Sequence, residues 1–462
     1  MLKRILLARH SVVVVGVVRL LSIIGALFFA SFFPPEAQSD GRLNLPEPRT
    51  DSFNPLVLES INLDDGKSLL PAELLPAIRT GTLKIPAAKN LRYAWRYDEE
   101  WLKNTKEYKE DPRINFLDLP YKSLQQRGFA FGAADIIKAE KDAGRQGSKI
   151  LWNVISTLAS QRLMKQSFAF VHIKENRTTV LGSLELKRAY LAAFPSDAGS
   201  AQIFREIIRF IQPDTLSAYA WLAFRFFGEA EDAFWLYSPA ISKSRQLTGS
   251  NRSDPLYRLL VSPDDLLVWS GKPEILEAKL VEIGELLIPF ESLDHADLLQ
   301  SSGEASCVDI VRRTAQINTG EGGSTLPNWL FGSFPSDTIF VPRTAFRLEL
   351  GQRDPYSLYG RQTLYVDAES MLPAYKFVYS RTGQLIKIII GGFGLAIDPE
   401  TKSSAPFNSF LLAMDAAGKE RTQMSSSMIH YCSEITQDFN ATDFDPSHLA
   451  PVAASSSSSS QS

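Results

Sequence analysis

Cysteine is almost absent, with only Cys307 and Cys432 in 462 residues. They form no Cys-x-x-Cys pair, which argues against a zinc site or a thioredoxin-type centre built on cysteines. In an oxidising compartment the two can join as a disulfide, or remain separate buried thiols, and spacing alone leaves both open. A bond would close a loop of more than a hundred residues. Chain entropy would then stabilise the fold by roughly 4–5 kcal/mol before strain is subtracted. Histidine is scarce too, and beyond the N-terminal segment only His172, His295, His430 and His448 remain. His172, in Phe168-Ala-Phe-Val-His-Ile173, has no second histidine or cysteine at ligand spacing. It reads as a strand residue facing water or satisfied in the core, so no metal is expected. Neither charge sign is in excess: 49 Lys and Arg against 52 Asp and Glu give a net charge of -3. That balance, with a pI near 6.1, argues against a nucleic-acid binder.

Catalytic motifs are missing as well. There is no Gly-x-Ser-x-Gly elbow, His-Glu-x-x-His helix, Walker loop or dinucleotide fingerprint, and no cofactor is expected. Gly391-Gly-Phe-Gly394 follows a strand without opening a helix and reads as a bend or strand end. Asp264-Asp265 and the pair Asp294 and Asp297 read as solvated loop charge rather than catalytic carboxylates. No fixed-period repeat is present, which excludes a solenoid or propeller.

What is present begins with an export signal. Lys3, Arg4 and Arg9 precede an apolar run from Leu20 to Phe33, then Pro34-Pro35 and the small residues Ala37 and Ser39. Residues 1–39 are therefore a cleaved signal peptide or an uncleaved anchor, and the rest belongs outside the cytoplasm. No cysteine lies near residue 39, so the chain is not itself N-terminally acylated. Residues 40–124 read as an extended arm and helical region, with helical signals at 68–79 and 98–108 and a further one at 133–143. The tail, 446–462, ends in serines and reads as disordered.

A 3.6-residue apolar period at Ile203, Phe204, Ile207, Ile208 and Ile211 predicts a helix over 200–211, ended by Pro213. Beyond it the pattern is strands: 219–227, 233–237, 265–269, 278–289, 345–350, 363–366, 374–379 and 384–390. With no long helix between most of them, the ladder should be antiparallel. Turns are expected at Asp367 to Met371 and at Arg381-Thr-Gly383. Residues 300–335 form a long Gly/Ser-rich interruption.

Three blocks carry a family resemblance: 128–153, from Gly128-Phe-Ala-Phe131 to Gly147-Ser-Lys-Ile-Leu-Trp-Asn153; 231–273, from Glu231-Asp-Ala-Phe-Trp-Leu-Tyr-Ser-Pro-Ala240 to Val268-Trp-Ser-Gly-Lys-Pro273; and Tyr359-Gly-Arg-Gln-Thr-Leu-Tyr-Val-Asp367 with Arg381-Thr-Gly-Gln-Leu385. In order and spacing they resemble a bacterial outer-membrane lipoprotein-sorting-protein-like family of unknown function, related in fold to the carriers LolA and LolB. Where that family carries an arginine run, this chain has Ser242-Lys-Ser-Arg245, which weakens any anionic-partner role there.

The resemblance implies an α+β fold for 125–445, a large curved antiparallel sheet forming an incomplete β-barrel with helices over its concave face. It implies a hydrophobic-ligand cavity, for which Trp152, Leu222, Phe224, Phe234, Leu236 and Trp269 are the candidates, with Arg225 at the rim. The 200–211 helix is the candidate cover. By the same resemblance the function is a periplasmic, non-catalytic carrier of a lipid, lipoprotein acyl chain or similar molecule, with an envelope transporter or lipoprotein as partner. A cell-envelope adaptor, or a hydrolase acting on a hydrophobic substrate, is the alternative.

Overall fold

The computed structural model describes residues 56–58, 64–110, 124–190, 202–291, 299–301, 307–311, 334–397, 404–432 and 436–450, apart from single positions or pairs within those ranges. All of them belong to one compact unit. The predicted signal or anchor at 1–39 lies outside the described residues. Among the described residues no helix is long and apolar enough to cross a membrane.

Seventeen strands make one sheet: β1 (Leu56–Leu58), β2 (Ile85–Ala87), β3 (Leu163–Lys174), β4 (Arg177–Tyr190), β5 (Gln202–Gln212), β6 (Ala220–Phe226), β7 (Ala233–Ser238), β8 (Lys243–Leu247), β9 (Leu276–Glu291), β10 (Leu299–Ser301), β11 (Cys307–Val311), β12 (Thr338–Gln352), β13 (Arg361–Asp367), β14 (Pro373–Tyr379), β15 (Leu385–Ile397), β16 (Ser404–Asp415) and β17 (Glu420–Cys432). The main ladder is antiparallel throughout and runs β9, β12, β13, β14, β15, β16, β17, β3, β4, β5, β6, β7, β8. Its two ends, β8 and β9, are therefore consecutive in sequence. A parallel bridge between Phe393 and Phe290 also brings β15 back onto β9, so that part of the ladder folds round on itself.

Hairpin turns carry the residues their geometry demands. Glu175 and Asn176 between β3 and β4 have φ of 49° and 62°, the double left-handed pattern that matches strand twist. At both predicted turns the backbone closes on itself: Met371 N–H donates to Asp367 O at 2.9 Å, and Gly383 N–H donates to Ser380 O at 3.0 Å. Gly383 has φ 83° there, a conformation that only glycine adopts without steric cost.

The helix predicted over 200–211 is instead strand β5. Phe204, Ile208 and Phe210 enter the main hydrophobic cluster while Ile207 enters a second cluster on the opposite face. Because both faces are buried, the alternation that marks a half-exposed strand is lost, and the charged Glu206 is tucked inward beside Arg188. Four isoleucines and two phenylalanines fit a pleated surface better than a helix, and pairing with β4 and β6 decides the outcome. Ile203, Phe204, Ile207, Ile208 and Ile211 are thus wall rather than cover.

The helical signal at 133–143 is met by a short π-helix, Asp135–Ala139, and the longer α-helix follows at Ala143–Leu158. Its Asp142 cap accepts from Arg145 N–H at 2.8 Å. Ile150, Leu151 and Val154 face the main cluster. Asn153 clasps the backbone of Phe131, accepting from its N–H and donating to its carbonyl. Gly391 to Gly394 lie inside β15 rather than ending it, with a register slip between Gly392 and Phe393.

The second cluster lies under the C-terminal segment, where Phe439, Phe444 and Leu449 cover Ile207, Leu222 and Tyr237. Leu449, within the stretch predicted to be disordered, is fully buried, and its carbonyl accepts from Arg209 at 3.0 Å. Here Cys307 of β11 and Cys432 of β17 face each other across the ladder and are joined by a disulfide.

Candidate functional site

Residues 265–269, predicted as a strand, belong to an irregular strap, 248–275, that joins β8 to β9. Its regular structure is limited to three short 3-10 turns at Gly249–Ser253, Pro263–Asp265 and Pro273–Ile275. Prolines at the start of two of them and local side-chain brackets set these turns: Asn251 accepts from Thr248 N–H and Asp265 from Ser262 N–H. Leu256, Leu259, Val261, Leu266, Leu267, Val268 and Trp269 are all buried in the main cluster.

The strap crosses the inner face of the sheet. Leu260 N–H donates to Thr422 on β17 at 2.9 Å, and Tyr257 meets Phe210 of β5 edge-on at 6.4 Å. Val268 sits so close to β15 that a Cβ placed on Gly391 would lie 2.2 Å from its Cγ2. Glycine is the only residue that leaves room for it. Gly391→Ala should therefore push the strap off the sheet and cost about 1–3 kcal/mol as an overpacking change. Urea unfolding measures this, and an unchanged midpoint would mean that Val268 is not seated there. The backbone bends sharply at this point, with φ of 55° at Leu267 and 69° at Val268. Left-handed geometry costs an ordinary residue roughly 1–2 kcal/mol, and a β-branched one adopts it least readily, so strong anchors must hold this bend.

Those anchors are buried charges arriving from both sides. On the β6 side, Arg225 reaches Asp264 at 3.1 Å, and Arg252, from the strap's own first turn, reaches it at 3.2 Å. The same two arginines approach Asp232 at 3.1 and 3.5 Å, where Lys272 joins at 3.5 Å. Arg225 also donates to the Ser270 carbonyl. Arg188 of β4, paired with Glu206, donates to Ser270 Oγ at 2.7 Å. From the other side Lys376 of β14 and Lys387 of β15 grip Asp265 at 2.8 and 2.9 Å. Lys376 also donates to the Asp264 carbonyl at 2.9 Å. Tyr359 donates to Asp265 Oδ2 at 2.7 Å and accepts from Lys387 at 2.7 Å.

Burial sets the electrostatics. It raises the Asp264 carboxyl above the usual range, with Arg225 and Arg252 offsetting only part of that. Burial would do the same to Asp265, but the two ammonium groups outweigh it and hold that acid below the usual range. Burial also lowers Lys387, against the attraction of Asp265. The Tyr359 hydroxyl is pushed far up by burial and by Asp265, so it keeps its proton.

The candidate cavity residues divide between the two faces. Trp269 is part of the strap itself. Trp152 stacks on Phe227 at 5.5 Å and Phe234 lies edge-on to Trp221 at 6.4 Å; these two and Leu236 belong to the main cluster. Leu222 and Phe224 point the opposite way, toward the C-terminal cover. The inward residues of β6 are Trp221, Ala223 and Arg225, because Arg225, predicted to lie at the rim, is drawn inside by Asp232 and Asp264. Asp264 and Asp265 are likewise buried rather than solvated, while Asp294 and Asp297 lie outside the described residues. The sequence reading missed Arg188, Arg252, Lys376, Lys387 and Tyr359. A signal was available: Lys376 in Ala374-Tyr-Lys-Phe-Val378 and Arg225 between Phe224 and Phe226 are lone charges inside apolar strands.

Among the described residues one group has the donor set and spacing of a metal site, Cys307, His430 and Cys432. Both sulfurs are committed to the disulfide, so the thiolates that a metal would need are not available there. His172 is satisfied in the core by Thr422 at 2.9 Å and Glu420 at 3.3 Å.

The strap and the strands that anchor it on the β6 side lie within the stretch, residues 57–313, that matches the profile of DUF1329, described as a protein of unknown function. The chain belongs to the DUF1329 family. A DUF1329 protein from Desulfovibrio piger is among the similar solved structures, at 14% identity and a TM-score of 0.44, covering 67% of this chain and 100% of that one. A domain named for outer-membrane lipoprotein sorting from Vibrio parahaemolyticus is similar at 14% identity and a TM-score of 0.45, covering 66% and 99%. A LolA-superfamily protein from Nitrosomonas europaea follows at 13% identity and a TM-score of 0.37, covering 65% and 97%. Among the curated proteins none matches this DUF1329 chain.

Proposed function

We propose that this protein is an exported, non-catalytic binding or carrier protein for a hydrophobic ligand such as a lipid or a lipoprotein acyl chain. In this reading the sheet curves as an incomplete barrel and the ligand lies against its inner face. The observation that carries it is the strap: beside the packed helix Ala143–Leu158, the apolar sheet surface is covered by an irregular, backbone-strained segment pinned by ion pairs. A surface that accepts a run of leucines, valine and tryptophan in this way offers the same gain to an acyl chain, roughly 0.8 kcal/mol per buried methylene. The N-terminal segment would direct the protein to the periplasm, where an envelope transporter or lipoprotein is the fitting partner.

The hydrolase alternative has one observation in its favour, the chain Ser262, Tyr359, Lys387, with oxygen to oxygen at 2.9 Å and nitrogen to oxygen at 2.7 Å. Its proton inventory favours a latch. Tyr359 gives its single proton to Asp265 and accepts from the other two groups, so no base is free to activate Ser262.

Protein purified from periplasm should release lipid on solvent extraction, read by mass spectrometry, and should bind a fluorescent fatty acid saturably. An empty protein that also ignores the probe overturns the carrier reading.

A further inference from the structure

Chemically, the strap is an amphiphile. Two adjacent carboxylates, Asp264 and Asp265, lead directly into Leu266-Leu-Val-Trp269. The carboxylates are held by three cations of the strands, Arg225, Lys376 and Lys387, together with Arg252 of the strap itself, and the apolar run lies on the sheet beside Gly391. We propose that the strap is a built-in mimic of the ligand, so that the guest which displaces it is an anionic amphiphile whose acidic head takes the three-cation cage on the strands.

The inference rests on the carrier reading and narrows it by charge. Lys376 and Lys387 share a single carboxylate, Asp265, in a buried setting. If the strap lifts, Asp264, Asp265 and its own Arg252 leave together, and Arg225, Lys376 and Lys387 stay on their strands with Asp232 as ion-pair partner of Arg225 and Glu206 acting on it from further off. Uncompensated buried charge is strongly unfavourable. A neutral lipid would leave the cage in that condition, whereas a carboxylate or phosphate head restores the pairing, bidentately at Arg225. The bend favours exchange, because Leu267 and Val268 escape their left-handed backbone on release. The glycine at 391 lets a methylene chain approach the strand as closely as Val268 does.

The full chain is titrated with cis-parinaric acid and with its methyl ester, which share a tail and differ in head charge. Hydrogen exchange over residues 256–272 is followed in the same samples. The acid should bind at least tenfold more tightly than the ester and should speed exchange in the strap. Bound probe should be displaced by oleate or lysophosphatidic acid, the arm that works identifying a carboxylate or phosphate source, and far less by zwitterionic lysophosphatidylcholine. Equal binding of acid and ester, equal displacement by lysophosphatidylcholine, or strap exchange that stays constant on binding each overturn the mimic while leaving the carrier reading in place. If neither probe binds, the carrier reading itself falls.

Discussion

Replacing Asp265 with alanine is expected to cost the folded protein about 3–5 kcal/mol, the range for breaking a buried ion pair from one side. The substitution removes the partner of two buried ammonium groups, frees the Tyr359 hydroxyl and deletes the bracket on Ser262 N–H. Lys376 is fully buried and cannot reach water without moving β14. Urea unfolding at neutral pH measures the loss, and a change below about 1 kcal/mol, the range of exposed pairs, would show that the cluster is hydrated rather than buried. The pH profile supplies the sign. Because the folded carboxyl lies below its unfolded value, its stabilisation is present above the ordinary carboxylate range, near pH 4, and is lost as pH falls through the lower folded value. The wild-type curve should therefore drop on acidification where the Asp265→Ala curve, already low, is flatter.

Substituting both Cys307 and Cys432 with serine should lower stability by about 4–5 kcal/mol, toward the upper end of the range for one disulfide. The two cysteines are 125 residues apart, and the unfolded chain without the bond regains the freedom of that whole loop. The bond also ties β11 to β17 at a point where the ladder has just lost β16 as a neighbour. Denaturation with and without reductant should reproduce the difference seen in the serine variant. Equal midpoints in all samples would mean that the bond does not form in the folded protein.

Much of the strand ladder was legible in the sequence. From 219 onward, turn chemistry and β-branched runs marked β6, β7, β9 and β12 to β15. What escaped had a physical reason. In β5 both faces are buried, so the two-residue period that would have identified it is absent, and Glu206 falls where a helical stripe expects a polar residue. The strap contains Leu266-Leu-Val-Trp269, whose composition is that of a strand, yet the chain turns left-handed at Leu267 and pairs with nothing regular. Asp264 and Asp265 looked like turn charge because most of their partners stand far off in sequence, at 225, 376 and 387. Only long-range topology brings them together. The cysteine pair was undecidable for the same reason.

Because the two outermost strands of the thirteen-strand ladder are joined directly by residues 248–275, that segment ties one end of the ladder to the other. Pinned in a bent path by its ion pairs, it uses only part of a reach of about 90 Å when fully extended. Anything that prises it loose therefore also loosens the one direct covalent tie between β8 and β9.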